Sequence, residues 1–307
     1  MNASHRQALI HKIYKTLKKY YQPVAPPADR PLLDHLLYAC CLENAKHESV
    51  DEVFARFEQD YFDWNEIRVT TIGELAETMA SLPDAADAAR RLKRTLQSVF
   101  EAQYSFDLEF LKKQNLGKAV KDLERYAGVT PFSISYVVQN ALGGHSIPLG
   151  SGAFRALVVL GLISESDAAK RRVPGLERAI SKSKGVEFAS LLHQLGVDYA
   201  VTPFSPRVRS ILLEIEPAAK DRLPKRGPKK ESETEREGAA PAAGEAPGPP
   251  EAAAPPAAAP QAADATKFPE TLRQPEPAPP EGPHAAEDDA TKKHKSATKR
   301  LSRKKPR

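Results

Sequence analysis

The residues best placed to do chemistry in this 307-residue chain lie between Leu123 and Arg155, in LERYAGVTPFSISYVVQNALGGHSIPLGSGAFR. Gly128 can take the backbone conformation that a sharp turn between two helices needs. Thr130 suits an N-cap, and Pro131 suits the first helical position. The following helix should run through Tyr136, Val137 and Val138 to Gly143-Gly144, which end it. A corner of this kind presents amides at a helix N-terminus, where a phosphate oxygen is well held. Gly128, Val129, Thr130, Phe132 and Ser133 are the residues that would line such a contact. The same spacing also makes a plain corner between helices with no ligand.

The neighbouring loop, residues 143–152, offers His145, Ser146 and Ser151. His145 has the chemistry of a base, and equally that of a solvated loop histidine. Ser151 reads as the N-cap of a helix starting at Ala153. Asp34 and Glu43 sit on an apolar helix and either face a cleft or point to solvent. Tyr61, Phe62 and Trp64 either stack on bases or belong to a core. These groups form no nucleophile–base constellation and no set of metal ligands, so no catalytic or metal-binding residue is assigned. The only cysteines, Cys40 and Cys41, are adjacent in a helical pattern. Their side chains diverge, which makes them poor disulfide partners and good small hydrophobes. This fits a reducing compartment.

The elements that must position these groups are helices throughout. Leu9, Ile13, Leu17 and Tyr20 recur at helical spacing among Lys12, Lys15, Lys18 and Lys19. QPVAPPADRP (22–31) is a Pro-rich connection. Leu32 to Leu42 predicts a strongly apolar helix. Ser49 with Glu52, and Thr71 with Glu74, predict capping boxes. Pro83-Asp84 starts a long basic helix to about Gln103. Short helices are expected at 107–113 and 116–126, with more at 175–183, 186–195 and 205–215. No segment alternates as a strand does, and no fixed-period repeat occurs. The expected fold is all-α, of about ten helices ending near Leu223.

LERYAGVTPFSISYVV followed by IPLGSGAFRALVVLGLI resembles the helix–hairpin–helix motif and following loop of the endonuclease III-like DNA glycosylases. Their pattern is close to L-x-x-L-P-G-V-G-R-K-T-A-x-x-V, then V-D-T-H-x-x-R. Leu123, Gly128, Val129, Val137, Val138 and Arg155 match it in register. The resemblance covers about residues 30–200. It implies a two-lobed helix–hairpin–helix domain and DNA, duplex or damaged, as the partner. It also places that family's functional residues. The lysine that attacks the sugar falls at Phe132, and the catalytic aspartate falls at Gly150. The histidine two residues on falls at Gly152, the second hairpin glycine at Thr130, the hairpin proline at Ala127, and the base-extruding glutamine near Cys41. A phenyl ring is no nucleophile, so Phe132 either plugs the pocket or stacks on a displaced base or sugar. Many relatives carry an iron–sulfur cluster on four cysteines. The matching region here, Asp198 to Glu216, has none, so no cofactor is expected.

Three segments are therefore expected. Residues 1–31 form a basic helix and its connection, residues 32–223 the glycosylase-like domain, and residues 224–307 a disordered Ala/Pro/Lys-rich tail. The net charge is +5, which permits nucleic acid as a partner. Basic clusters occur at Arg90, Arg91, Lys93 and Arg94, at Lys170, Arg171 and Arg172, and at Arg207 and Arg209. The tail ends in KKHKSATKRLSRKKPR, with nine Lys or Arg in sixteen residues and no acid. It reads as a nucleic-acid arm, a solubilising tail or, in a eukaryote, a nuclear-import signal. No long uncharged apolar run exists, so no membrane helix is expected, and the charged N-terminus is not a secretory signal. The implied location is the cytoplasm beside the nucleoid, or the nucleus in a eukaryote. Three functions fit: a DNA-binding relative without the family's chemistry, a glycosylase using other residues, or an interaction scaffold.

Overall fold

The structure is a computed structural model and describes residues 2–27 and 29–224. The tail and its basic end lie outside them. Among the described residues there are thirteen α-helices, two short 3-10 helices and no strand. The first is α1 (Ala3–Tyr20). A first lobe follows: α2 (Leu32–Leu42), α3 (His47–Asp60), α4 (Trp64–Val69), α5 (Ile72–Thr78), α6 (Ala85–Gln103), α7 (Leu116–Leu123) and α8 (Pro131–Asn140). The second lobe holds α9 (Ser151–Val159), α10 (Glu165–Ala169), α11 (Leu176–Ala179), α12 (Lys182–Val201) and α13 (Pro206–Ile215).

The first lobe closes around α2. Leu36 and Leu37 are fully buried there with Val50, Leu92, Leu96 and Val137. A helix apolar on all sides must sit inside a core, and LLDHLLYACCL does so. The second lobe is built on α12, where Phe188, Leu192 and Leu195 pack with Leu157 of α9 and Leu212 of α13.

The N-terminal helix is not set apart from the domain, as the sequence pattern suggested. Ile13 and Leu17 are fully buried in the second lobe's core. Tyr14 donates to Glu187 at 2.6 Å and Tyr21 to Asp198 at 2.9 Å. Lys18 pairs with Glu187 and Lys19 with Glu214. The lysines that made the segment look independent are the rim of a docked amphipathic helix.

Most predicted helix starts are present. Asp84 caps α6, accepting from the Asp87 amide at 3.2 Å. Thr71 and Glu74 form a capping box at α5. Ser49 does not cap. Helix α3 starts earlier, at His47, because His47 is itself buried against Tyr38, and the Ser49 carbonyl instead accepts from Ser81.

At the start of α9 the chain meets the first lobe through Gly150, against the Glu43 carbonyl, and crosses α12 of its own lobe through Gly152. A Cβ built on Gly152 would fall inside the Gly196 carbonyl group of α12, and one on Gly196 would lie 2.6 Å from the Ala153 nitrogen. The backbones touch because neither helix has a side chain there. Gly152→Ala should therefore lower the unfolding free energy by about 1–3 kcal/mol, the usual cost of overpacking. Urea unfolding followed by circular dichroism reads this directly, and an unchanged midpoint would show that the crossing is looser than described.

Candidate nucleic-acid interface

The hairpin corner forms as its residues dictate. Helix α7 ends at Leu123, and Leu123, Tyr126 and Val137 anchor the corner in the first lobe's core. Gly128 has φ +94°, and a Cβ there would lie 2.6 Å from the Arg91 carbonyl oxygen and 2.8 Å from Thr95 Oγ1. Both the left-handed backbone and the close approach to α6 require glycine. The Ala127 amide donates to Ser98 Oγ at 3.0 Å and fixes the turn to the same helix.

Thr130 and Ser133 form a reciprocal capping box. The Ser133 amide donates to Thr130 Oγ1 at 3.2 Å, and the Thr130 amide to Ser133 Oγ at 2.8 Å. The Val129 amide donates to the Tyr126 carbonyl at 3.3 Å. The amides of Gly128 and Phe132 find no acceptor among the described residues. Those two N–H groups are what the corner can offer a phosphate oxygen.

Of the five residues proposed to line the contact, two have side chains turned into the protein. The Phe132 and Ser133 side chains are buried and cannot reach a ligand on the surface. Ser133 is consumed by the cap. Phe132 stacks on Tyr136 at 6.4 Å and leans on His193 of α12 at 5.6 Å. Gly128, Val129 and Thr130 stay partly exposed.

Behind the corner, the space between the lobes is filled. A cavity bounded by Phe132, Tyr136, His47, Pro148 and His193 measures about 20 Å³, which is room for about one water. A second, between Gly150 and Gly196, measures about 10 Å³. Gly150, and not Ser151, caps α9, because a Cβ at Gly150 would lie 2.5 Å from the Glu43 carbonyl oxygen. Ser151 instead donates to the Asn44 side chain at 3.0 Å.

The remaining candidate groups are engaged in structure. Glu43 does not point to solvent: it is buried and pairs with Arg171 at 3.2 Å. His145 is anchored, with Nε2 at 2.8 and 2.9 Å from the Glu177 and Ile180 carbonyls. Asp34 accepts from the Trp64 indole. Tyr61 and Trp64 pack partly into the core, while Phe62 is 95% exposed. Cys40 and Cys41 lie buried in α2, and burial pushes the Cys40 thiol up to about 11 and the Cys41 thiol further. Two buried helical thiols cannot supply the four ligands of an iron–sulfur cluster.

The basic clusters divide in two. Arg91 grips the Cys40 carbonyl and Asp87, and Lys93 reaches the carbonyls of Arg68 and Thr70 at the end of α4. Arg207 donates to the Tyr20 carbonyl and Arg209 to that of Pro224. These four hold the fold together. Arg90, Arg94 and Arg125 are exposed beside the corner, as are Lys170 and Arg172 on the second lobe.

No protein-family profile and no curated protein matches the chain. Solved structures do. A non-covalent endonuclease III–DNA complex superposes with a TM-score of 0.51 at 16% identity, covering 73% of this chain and 99% of that one. The fold is that of the helix–hairpin–helix DNA glycosylases. A trapped endonuclease III–DNA covalent intermediate gives 0.48 at 16% identity over 73% and 100% of the two chains. A thermostable thymine-DNA glycosylase gives 0.46 at 17% over 67% and 91%. In this version of the fold, the space between the lobes is filled by side chains and by backbone.

His47 and His193 are buried in that closure and His35 within the first lobe, and burial holds each of the three down to about 4. Arg30 adds to the effect on His35 and His47, and His47 adds to it on His193. The Tyr38 hydroxyl donates to Asp51, so its oxygen accepts from His47 Nδ1, and His47 Nε2 is left without a partner. His193 donates to the Ala45 carbonyl at 2.9 Å. In the unfolded chain these rings take up protons near pH 6.5. Their contribution to stability is therefore complete above about 6.5 and is lost as pH falls toward 4. Denaturant midpoints should drop between pH 7 and pH 5, and His193→Gln should flatten that drop. A midpoint indifferent to pH in this range would mean that the rings are already solvated.

Proposed function

We propose that this chain binds duplex DNA at the helix–hairpin–helix corner and does not excise bases. The observation that carries the second half is the closed site. The family's nucleophile position is a buried phenylalanine beside a cavity of about 20 Å³, its carboxylate position is a glycine pressed on a carbonyl beside one of about 10 Å³, and neither cavity has room for more than about one water. A base extruded from the duplex would have nowhere to go. DNA as the partner is supported by the fold, whose solved examples include endonuclease III on DNA, and by the corner itself. The Gly128 and Phe132 amides can hold one phosphate, and exposed arginines lie on the elements flanking the corner: Arg94 and the Asp87-paired Arg90 on α6, and the Asp122-paired Arg125 just after α7. Such contacts position a duplex without reading its sequence. The basic end of the tail, residues 292–307, would add a second sequence-independent attraction.

Fluorescence anisotropy with an undamaged duplex tests the binding half. Charge reversal of the exposed pair, Arg90→Glu with Arg94→Glu, should weaken binding by about ten-fold or more and lower the salt slope by about two. Unchanged affinity would remove the corner from the interface. A panel of damaged duplexes tests the other half. The wild-type chain should release no base and form no borohydride-trappable adduct, and Phe132→Lys with Gly150→Asp should not gain either activity. Base release by the wild-type chain would overturn the non-catalytic reading.

A further inference from the structure

At the end of α2 remote from Glu43, helices α2, α3 and α4 surround an open-mouthed cavity of about 360 Å³, within the range of small-ligand sites. Its walls are aromatic. Phe54 and Phe57 stand edge-on to Trp64 at 6.0 and 6.2 Å, and Phe57 stands edge-on to Tyr61 at 6.0 Å. Phe62 lines the same space and is almost wholly exposed. A phenyl ring left in water at the mouth of an aromatic cavity is an unsatisfied apolar surface.

The polar lining is of one sign. Asp34, Glu58 and Asp63 line the cavity, and among the described residues no cationic side chain does, Arg30 lying 5.8 Å over the Phe54 ring but outside the lining. Asp34 is half buried, and burial holds its carboxyl above the ordinary range despite the Trp64 hydrogen bond and the nearby Arg30. Arg30 is itself committed, stacked over Tyr38 at 4.2 Å.

These features select a ligand class. Three carboxylates repel a nucleotide's phosphate. The carboxylates do not converge for a divalent metal: among the described residues no three of His, Cys, Asp or Glu are grouped as metal ligands. A neutral apolar molecule would leave the acids unused. A cation sheathed in methyl groups satisfies both parts: its surface packs on the ring faces, whose quadrupoles attract positive charge, and its charge answers the acids. We propose that this cavity binds an alkylated ammonium group, carried by a free quaternary amine or by a methylated lysine side chain.

Trp64 is the only tryptophan in the chain, so intrinsic fluorescence reports from within the site. The full-length chain is titrated with choline and, in parallel, with 3,3-dimethylbutan-1-ol, in which carbon replaces the charged nitrogen. Choline should give a saturable change, with the neutral isostere weaker by about ten-fold or more. Phe62→Ala leaves an exposed position and should keep the fold, yet weaken choline by about five-fold. Glu58→Gln, also exposed, should weaken choline without affecting the isostere. Equal response to both compounds, no saturable response, or full affinity in Phe62→Ala would overturn the proposal. A trimethyllysine peptide forms the third arm: tighter binding than choline assigns the group to a protein side chain, and equal or weaker binding assigns it to a free amine.

Discussion

Three glycines set the geometry of this molecule. At the start of α9, Gly150 meets the Glu43 carbonyl of the first lobe, while Gly152 meets the Gly196 backbone of the second. Backbone in contact with backbone cannot yield as a side chain can. That junction fixes how close the lobes come, and so it fixes the depth of the space between them. Phe132 and His193 fill what remains, and the Glu43–Arg171 pair spans it.

The chemical character of the closed site follows from that distance. With room for about one water, the groups left inside must be neutral, apolar or partnered. The histidines are neutral, the cysteines are protonated and Glu43 has its arginine. A site arranged for acid–base chemistry keeps titratable groups in reach of a substrate. Here the titratable groups are buried or paired. The Gly128 turn is held by α6 and by its own cap, so its geometry does not depend on what fills the space between the lobes.

What could be read in the sequence was local. The bounds of α2, the Asp84 cap, the Thr71–Glu74 box and the Gly128–Thr130–Pro131 turn are set by neighbours within four residues, and they stand as the spacing implies. Ser49, Ser151 and Ser133 show the limit. Each is a good capping residue, and tertiary contacts decided the first two: burial of His47 moved the start of α3, and the Glu43 carbonyl left only a glycine at the cap of α9. Ser133 does cap, and that same bond takes it from the surface. Charge was the least legible property. Arg91, Lys93, Arg207 and Arg209 look like a binding surface in composition, yet each donates to a backbone carbonyl. Nothing in the order of residues tells a guanidinium that holds a helix end from one that waits in water. The aromatic cavity was hidden for a similar reason, since it needs Asp34 and Phe54 brought to Trp64 by three separate helices.

The placement of α1 bears on the order of assembly. The first lobe, α2 to α8, is an uninterrupted stretch of chain and closes its core with contacts of moderate span. The second lobe needs α1 against α12 and α13, which leave the ribosome after everything else in the described domain. Helix α1 is thus made before α12 and α13, and carries its apolar stripe unburied until they are synthesised. Long-range closure of this kind slows folding and lengthens the exposure of sticky surface. The lysines along α1 then have a use before the native state exists: they keep a waiting helix soluble.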